Sequence, residues 1–234
     1  AAILDTQRVR LLDLRDEQPN PPPLVRGKRK HKLRLGRVVE RPPAQIDGIV
    51  IHQTACVFGP RGDPAKRHRR ALGVSCHALA FDDRTVVLPN PLRWYVWHGN
   101  GLNPRSLGLE IEGRYPGLVD DPATARREDR DTTWGVRPGG YDPSEVTDDV
   151  IETARLALRT LVVLGRAEGM PLRWIWAHRQ SSATRRSDPG EALWRAVVLD
   201  YAVPVLLLET RPRDVVGDGR PIPRAWDPLG IGRY

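Results

Sequence analysis

A chain of 234 residues that is 40% hydrophobic can bury the core of one large domain, which excludes a coreless polymer. No apolar stretch approaches the length of a membrane span, and two cysteines, Cys56 and Cys76, exclude a disulfide framework while leaving one bridge or two free thiols open. The net charge of +8 suits an anionic partner, or else reflects an arginine-rich composition with no partner behind it.

The N-terminal residues carry no apolar run of signal-peptide length, so the sequence predicts a protein that starts in the cytoplasm, released by lysis if it works outside. Removal of an earlier leader is the other reading. Residues 1–42 read as a basic, proline-rich extension, with Asn20-Pro21-Pro22-Pro23 stiff and extended. The run Lys28-Arg29-Lys30-His31-Lys32 is a solvated basic edge or an anionic contact.

The main domain is placed at 43–210. Gly48-Ile49-Val50-Ile51 makes a buried strand ending at His52. Pro64 to Leu72 is a short helix with proline in its first turn, ended by Gly73. Val74 to Phe81 and Thr85 to Pro89 form a hairpin around Asp82-Asp83-Arg84. An aromatic loop, Trp94 to Asn100, precedes a strand from Ser106 to Gly113, whose alternation turns Glu110 and Glu112 to one face.

Residues 114–143 form a long polar loop. The longest helix spans Ser144 to Ala167, and Leu172 to Ala177 is a strand that again ends in histidine, His178. A final helix from Gly190 to about Leu208 is interrupted or kinked near Pro204. Residues 211–234 are a proline- and glycine-rich tail packed as irregular structure. Interleaved strands and helices predict an α/β fold with a central mixed sheet flanked by helices.

His52 and His178 each follow an apolar strand, and Asp188 lies just before the final helix. Two imidazoles and a carboxylate, with a fourth position left to water, suit a catalytic zinc, and the Glu110/Glu112 face supplies a base. The competing reading is a set of structural histidines satisfied by backbone carbonyls or solvent.

The motifs Ile51-His52-Gln53-Thr54-Ala55, Val74-Ser75-Cys76-His77, Trp97-His98-Gly99, Ser106 to Gly113, Ala177-His178-Arg179 and Ser187-Asp188-Pro189-Gly190 occur in this order. The series resembles the zinc-dependent N-acetylmuramoyl-L-alanine amidases of the type 2 family, which share a fold with peptidoglycan recognition proteins. The likeness covers about residues 46–200. It implies zinc held by His52, His178 and Asp188, and hydrolysis of the amide between N-acetylmuramic acid and L-alanine, with Glu110 taking the proton of the attacking water. Many relatives carry lysine two residues before the third ligand. Here Arg186 stands there, able to stabilise an oxyanion but not to donate a proton.

The resemblance also points to His98, Trp94 and Trp97 as the rim of a substrate groove, with core packing an equal reading for one or both tryptophans, His77 on the groove floor or in the core, and Asn103 and Arg105 as hydrogen-bonding candidates. His31 and His68, set among basic residues, read as solvated. The implied partner is peptidoglycan or a muropeptide, with anionic wall polymers as a further contact and nucleic acid disfavoured. A non-catalytic peptidoglycan-binding module of the same fold is the alternative function.

Overall fold

The computed structural model describes residues 3–6, 9–115 and 144–233. The expected polar loop lies outside the described residues from 116 to 143. The predicted α/β class is observed. One mixed sheet contains β1 (Ile3–Thr6), β2 (Val9–Asp13), β5 (Gly48–Gln53), β6 (Ala78–Ala80), β7 (Thr85–Leu88), β8 (Ser106–Ile111) and β9 (Trp174–Ala177). Their order across the sheet is β1-β2-β7-β6-β8-β5-β9. A separate pair, β3 (Leu33–Arg34) and β4 (Arg37–Val38), forms a small ribbon.

β5 lies between β8 and β9 and runs parallel to both. A strand covered on both faces reads as a continuous apolar run, and Ile49, Val50 and Ile51 are all fully buried. Ile49 and Ile51 join the main core beneath helix α2 (Asp148–Ala167), whereas Val50 packs on the opposite face with Leu102 and Trp176. The helix buries Val150, Ala154, Ala157, Leu158, Leu161 and Val162 along one stripe. It starts at Asp148 rather than Ser144 because the Thr147 hydroxyl accepts the Val150 N–H at 3.3 Å and caps it there.

Three other elements depart from their sequence-based outlines. The hairpin strand shortens to Ala78–Ala80 because the Cys76 N–H turns back to the Val74 carbonyl at 3.0 Å. The short helix α1 (Pro64–Arg69) is capped by Asp63 and runs into a 3-10 turn over Arg70–Gly73. The final helix is interrupted rather than kinked near Pro204. Its first turn, α3 (Glu191–Leu193), widens into a π-helix over Trp194–Ala202 and stops before the proline, which has no N–H to continue it.

The flanking segments are built into the fold. β2 lies parallel to β7, with β1 antiparallel outside it. Gln18 donates to the Leu72 carbonyl at 2.9 Å, and buried Arg41 donates to the carbonyls of Leu92 and Asn103 at 2.9 and 2.8 Å. In the tail, Ile222 and Trp226 are buried in the main core. Cys56 and Cys76 are free thiols buried in one apolar cluster. Among the described residues no helix is long and apolar enough to cross a membrane.

Candidate metal centre and its cleft

Three neighbouring parallel strands carry the chemistry. His52 pairs in register with Glu110 of β8, and Ile51 pairs with Ala177, the residue before His178. Rigid strands thus present both imidazoles and the carboxylate at their C-terminal ends, where open α/β sheets gather ligands. Asp188 enters from a turn closed by its own N–H bonding the Arg185 carbonyl at 3.2 Å. Its Oδ1 accepts the backbone N–H of Gln53 at 2.8 Å, which ties the turn to the end of β5.

One nitrogen from each of His52 and His178 and one Asp188 oxygen lie within 4.8 Å of one another. Asp188 Oδ2 is 2.9 Å from His178 Nδ1 and 3.8 Å from His52 Nδ1. Burial opposes ionisation of Asp188, but the hydrogen bond with His178 outweighs this and holds the carboxyl well below its usual range.

The proton positions on His52 follow from its neighbours. His98 Nε2 lies 3.3 Å from the Ser106 carbonyl, which only accepts, so His98 carries its proton there. His98 Nδ1 is then an acceptor, and it lies 3.2 Å from His52 Nε2. His52 therefore donates from Nε2 and turns the lone pair of Nδ1 toward Asp188. Burial, followed by the charge of His178, lowers His52 to about 4, which keeps the imidazole neutral. This is the tautomer a metal ligand needs, fixed by a neighbouring hydrogen bond.

His98 itself is held from two sides. Asn103 Oδ1 accepts the N–H groups of His98 and Gly99 at 2.9 and 2.6 Å. Its ring lies against Gly108, where an added Cβ would come within 2.8 Å of the imidazole. Only glycine in β8 leaves room for the ring.

Glu110 Oε2 is buried without a hydrogen-bond partner. Burial, then the charge of Asp188, pushes this carboxyl up to about 8, against the pull of Arg185 and Lys30. Glu112 is committed elsewhere: it pairs with buried Arg67 and accepts the Phe58 N–H at 2.6 Å. The cleft above Glu110, about 280 Å³, is also lined by Thr54, Cys56, Phe58, Trp97, His98, His178 and Asp188. A second cavity, about 450 Å³, shares Trp97, His98, His178 and Arg185 and extends past Asn100 and Ser182.

His52, His178, Asp188 and Glu110 thus converge as the sequence predicted, with His98 behind His52 and Trp97, 45% exposed, on the rim. Other candidates lie elsewhere. Arg186 occupies a corner of the Arg185–Asp188 turn and points to solvent, and Arg185 lines both cavities in its stead. His77 is fully buried: Nδ1 accepts the Gly108 N–H at 2.9 Å, and Nε2 faces the Trp94 carbonyl at 3.1 Å. It holds the strand and cannot meet a substrate. Trp94 is buried with Val38 and Val96 against the N-terminal ribbon. Asn103 reaches the second cavity, but its carbonyl oxygen is used on the loop. Arg105 pairs with Asp47.

The two histidines expected in solvent are buried: His31 bonds Asn90 at 2.8 Å, and His68 pairs with Asp83 at 2.8 Å. The sequence reading did not foresee Lys28, Lys30 and Arg185 on the cleft wall. Alternation within the basic run was the available signal for the lysines.

The C-terminal tail braces the loop that carries His178. Gln180 donates to the carbonyls of Arg211 and Asp214 at 2.9 and 2.7 Å, and its own carbonyl accepts the Val216 N–H at 2.8 Å. The Arg220 N–H bonds the Arg179 carbonyl at 2.7 Å, and the Arg179 guanidinium lies over the Trp226 ring.

Comparison with known proteins places the chain. Among solved structures it is similar to PGRP-LB of Drosophila, at 15% identity and a TM-score of 0.49, covering 86% of this chain and 96% of that one. It is similar to the N-acetylmuramoyl-L-alanine amidase LysC from Clostridium intestinale, at 15% identity and a TM-score of 0.44, covering 85% and 98%. The endolysin of bacteriophage Ph2119 from Thermus scotoductus is 17% identical with a TM-score of 0.40, covering 80% and 97%. No curated protein sequence matches. Residues 42–191 match the family described as N-acetylmuramoyl-L-alanine amidase, so the chain belongs to that family.

Proposed function

We propose that the protein is a zinc hydrolase cleaving the amide between N-acetylmuramic acid and L-alanine of peptidoglycan or its muropeptides, in cell-wall lysis or remodelling. The observation that carries this reading is the donor set: two imidazoles and one carboxylate around one point, with His52 Nδ1 left as a lone pair by the His98–Ser106 relay. That set fits zinc, which takes nitrogen and oxygen ligands and keeps an open position at catalytic sites. When bound, zinc would activate a water and polarise the amide carbonyl.

The remaining work falls to the chain's own groups. Glu110, raised to about 8, holds a proton near neutral pH in the metal-free protein; a cation bound beside it would favour the carboxylate, which could then take a proton from the attacking water and return it to the leaving amine. The Arg185 guanidinium, on the same cleft wall, takes the charge-stabilising role that the sequence suggested for Arg186. Trp97 offers an exposed ring to sugar or peptide. The reading assigns the catalytic domain to residues 43–210, flanked by segments 1–42 and 211–234.

The test is zinc content and release of L-alanine amino termini from purified peptidoglycan, for wild type and His178→Ala. About one zinc per chain, lost with cleavage in the variant, supports the amidase. Zinc with binding but no cleavage would replace it by a peptidoglycan-binding module. Absence of zinc from carefully prepared protein would overturn the site.

A further inference from the structure

The relay behind His52 continues past the Ser106 carbonyl to Arg41, one residue before the stretch that matches the family. Arg41 is 3% exposed, and its guanidinium reaches three backbone carbonyls. Nη1 donates to those of Asn103 and Ser106 at 2.8 and 2.5 Å, and Nη2 donates to that of Leu92 at 2.9 Å. His77 Nε2 lies 3.1 Å from Nη2 but is not its acceptor. His77 Nδ1 takes the Gly108 N–H, so the proton of this ring sits on Nε2 and faces the Trp94 carbonyl.

Arg67, also buried, meets Asp82, Asp83 and Glu112, whereas no carboxylate among the described residues pairs with Arg41. Burial lowers its guanidinium only to about 10, so it stays charged near neutral pH. A buried cation held by carbonyls alone costs the fold stability, and an apolar side chain would fill the same space without that cost. What the cation secures is the mounting of His98. The Ser106 oxygen accepts from Arg41 and from His98 Nε2, which fixes the far end of the ring. Asn103, whose carbonyl Arg41 also binds, takes the N–H groups of His98 and Gly99 on its side chain. One guanidinium nitrogen thus holds both the ring and the main chain of the residue that accepts from His52.

We propose that Arg41 is a positioning residue for the metal centre: through the Ser106 carbonyl and Asn103 it holds His98, and through His98 it fixes the ring orientation and proton position of His52. This role rests on the reading of His52 as a metal ligand for its consequence but not for its geometry.

The experiment reads the His52 and His98 tautomers in the metal-free protein by nitrogen NMR, and zinc affinity by competition with a chelating dye. Wild type should show both rings protonated on Nε2. Arg41→Met keeps an apolar stem without the donors; it should mix the two His52 tautomers and weaken zinc roughly tenfold. Arg41→Lys should restore both readouts, because Nη1 alone serves the Asn103 and Ser106 carbonyls and one ammonium can do the same. Gln18→Ala removes two buried hydrogen bonds from the same N-terminal segment and should move neither readout. Wild-type tautomers or an unchanged zinc affinity in Arg41→Met would overturn the role, as would equal changes in Gln18→Ala, which would mean general loosening. If Arg41→Met does not fold, Arg41→Gln is read against the same outcomes. If wild type takes up no zinc, the metal reading has failed, and the tautomers decide the role of Arg41 by themselves.

Discussion

His52 and Glu110 stand side by side as register partners of two parallel strands, β5 and β8. A candidate metal ligand and a candidate base therefore share one row of the sheet, and their separation is set by backbone hydrogen bonds rather than by loops. Replacing Glu110 leaves that row intact. Glu110→Ala should lower turnover by roughly 10²–10⁴-fold while zinc content stays at the wild-type level. Metal analysis beside the peptidoglycan assay checks this, and loss of zinc would assign Glu110 to the ligand set instead.

The relay through His98 predicts a metal-affinity effect from residues that touch no metal. His98→Ala frees the His52 tautomer, and Gly108→Ala drives a methyl into the His98 ring. Each should weaken zinc about 10–100-fold, measured by competition with a chelating dye. Unchanged affinity in both would show that the relay does not orient His52.

The buried histidines make the metal-free fold acid-sensitive. Burial lowers His31, His52, His77 and His98 from 6.5, His52 to about 4. Below their unfolded value the unfolded chain binds more protons, so stability is full above it and falls as pH drops through this window. Glu110 and Glu112 act in the opposite sense: their folded values of about 8 and about 7 exceed 4.5, so they weaken the fold as pH rises between them. Four histidines outweigh two carboxyls. After chelation the melting temperature should fall between about pH 7 and about pH 5, by roughly 2–4 °C for each kcal/mol lost. A flat profile would show that these imidazoles are already protonated in the fold.

The tail should act on the His178 loop. An added Cβ at Gly219 would lie 2.0 Å from the Gln180 carbonyl oxygen, and Gln180→Ala removes both side-chain bonds to the tail. Each change should cost about 1–3 kcal/mol, read from denaturant midpoints. A cost near zero would mean that the tail rests on the loop without bracing it.

The site was legible where its signal was local. Apolar runs that end abruptly in histidine located His52 and His178, and one-residue alternation separated Glu110 from the core. Asp188 was found by the order of the motifs, since a carboxylate in a turn has no periodicity. Arg186 and Arg185 were told apart only by the turn that points one outward and the other into the cleft. His77 and Trp94 were left between core and cleft because their surroundings come from distant chain, the Gly108 strand and the Val38 ribbon. β2 was missed for the same reason: its partner β7 is remote in sequence, and parallel pairing leaves no hairpin turn to announce it.

The same pairing bears on how the protein can be divided. A fragment limited to residues 42–191 would lose β1 and β2 and leave the N–H and C=O groups of β7 facing water along an apolar strand, Thr85-Val86-Val87-Leu88. Open edges of this kind pair with one another. Such a fragment should self-associate, and the first strands of the chain are what keep the sheet from finding a second copy of itself.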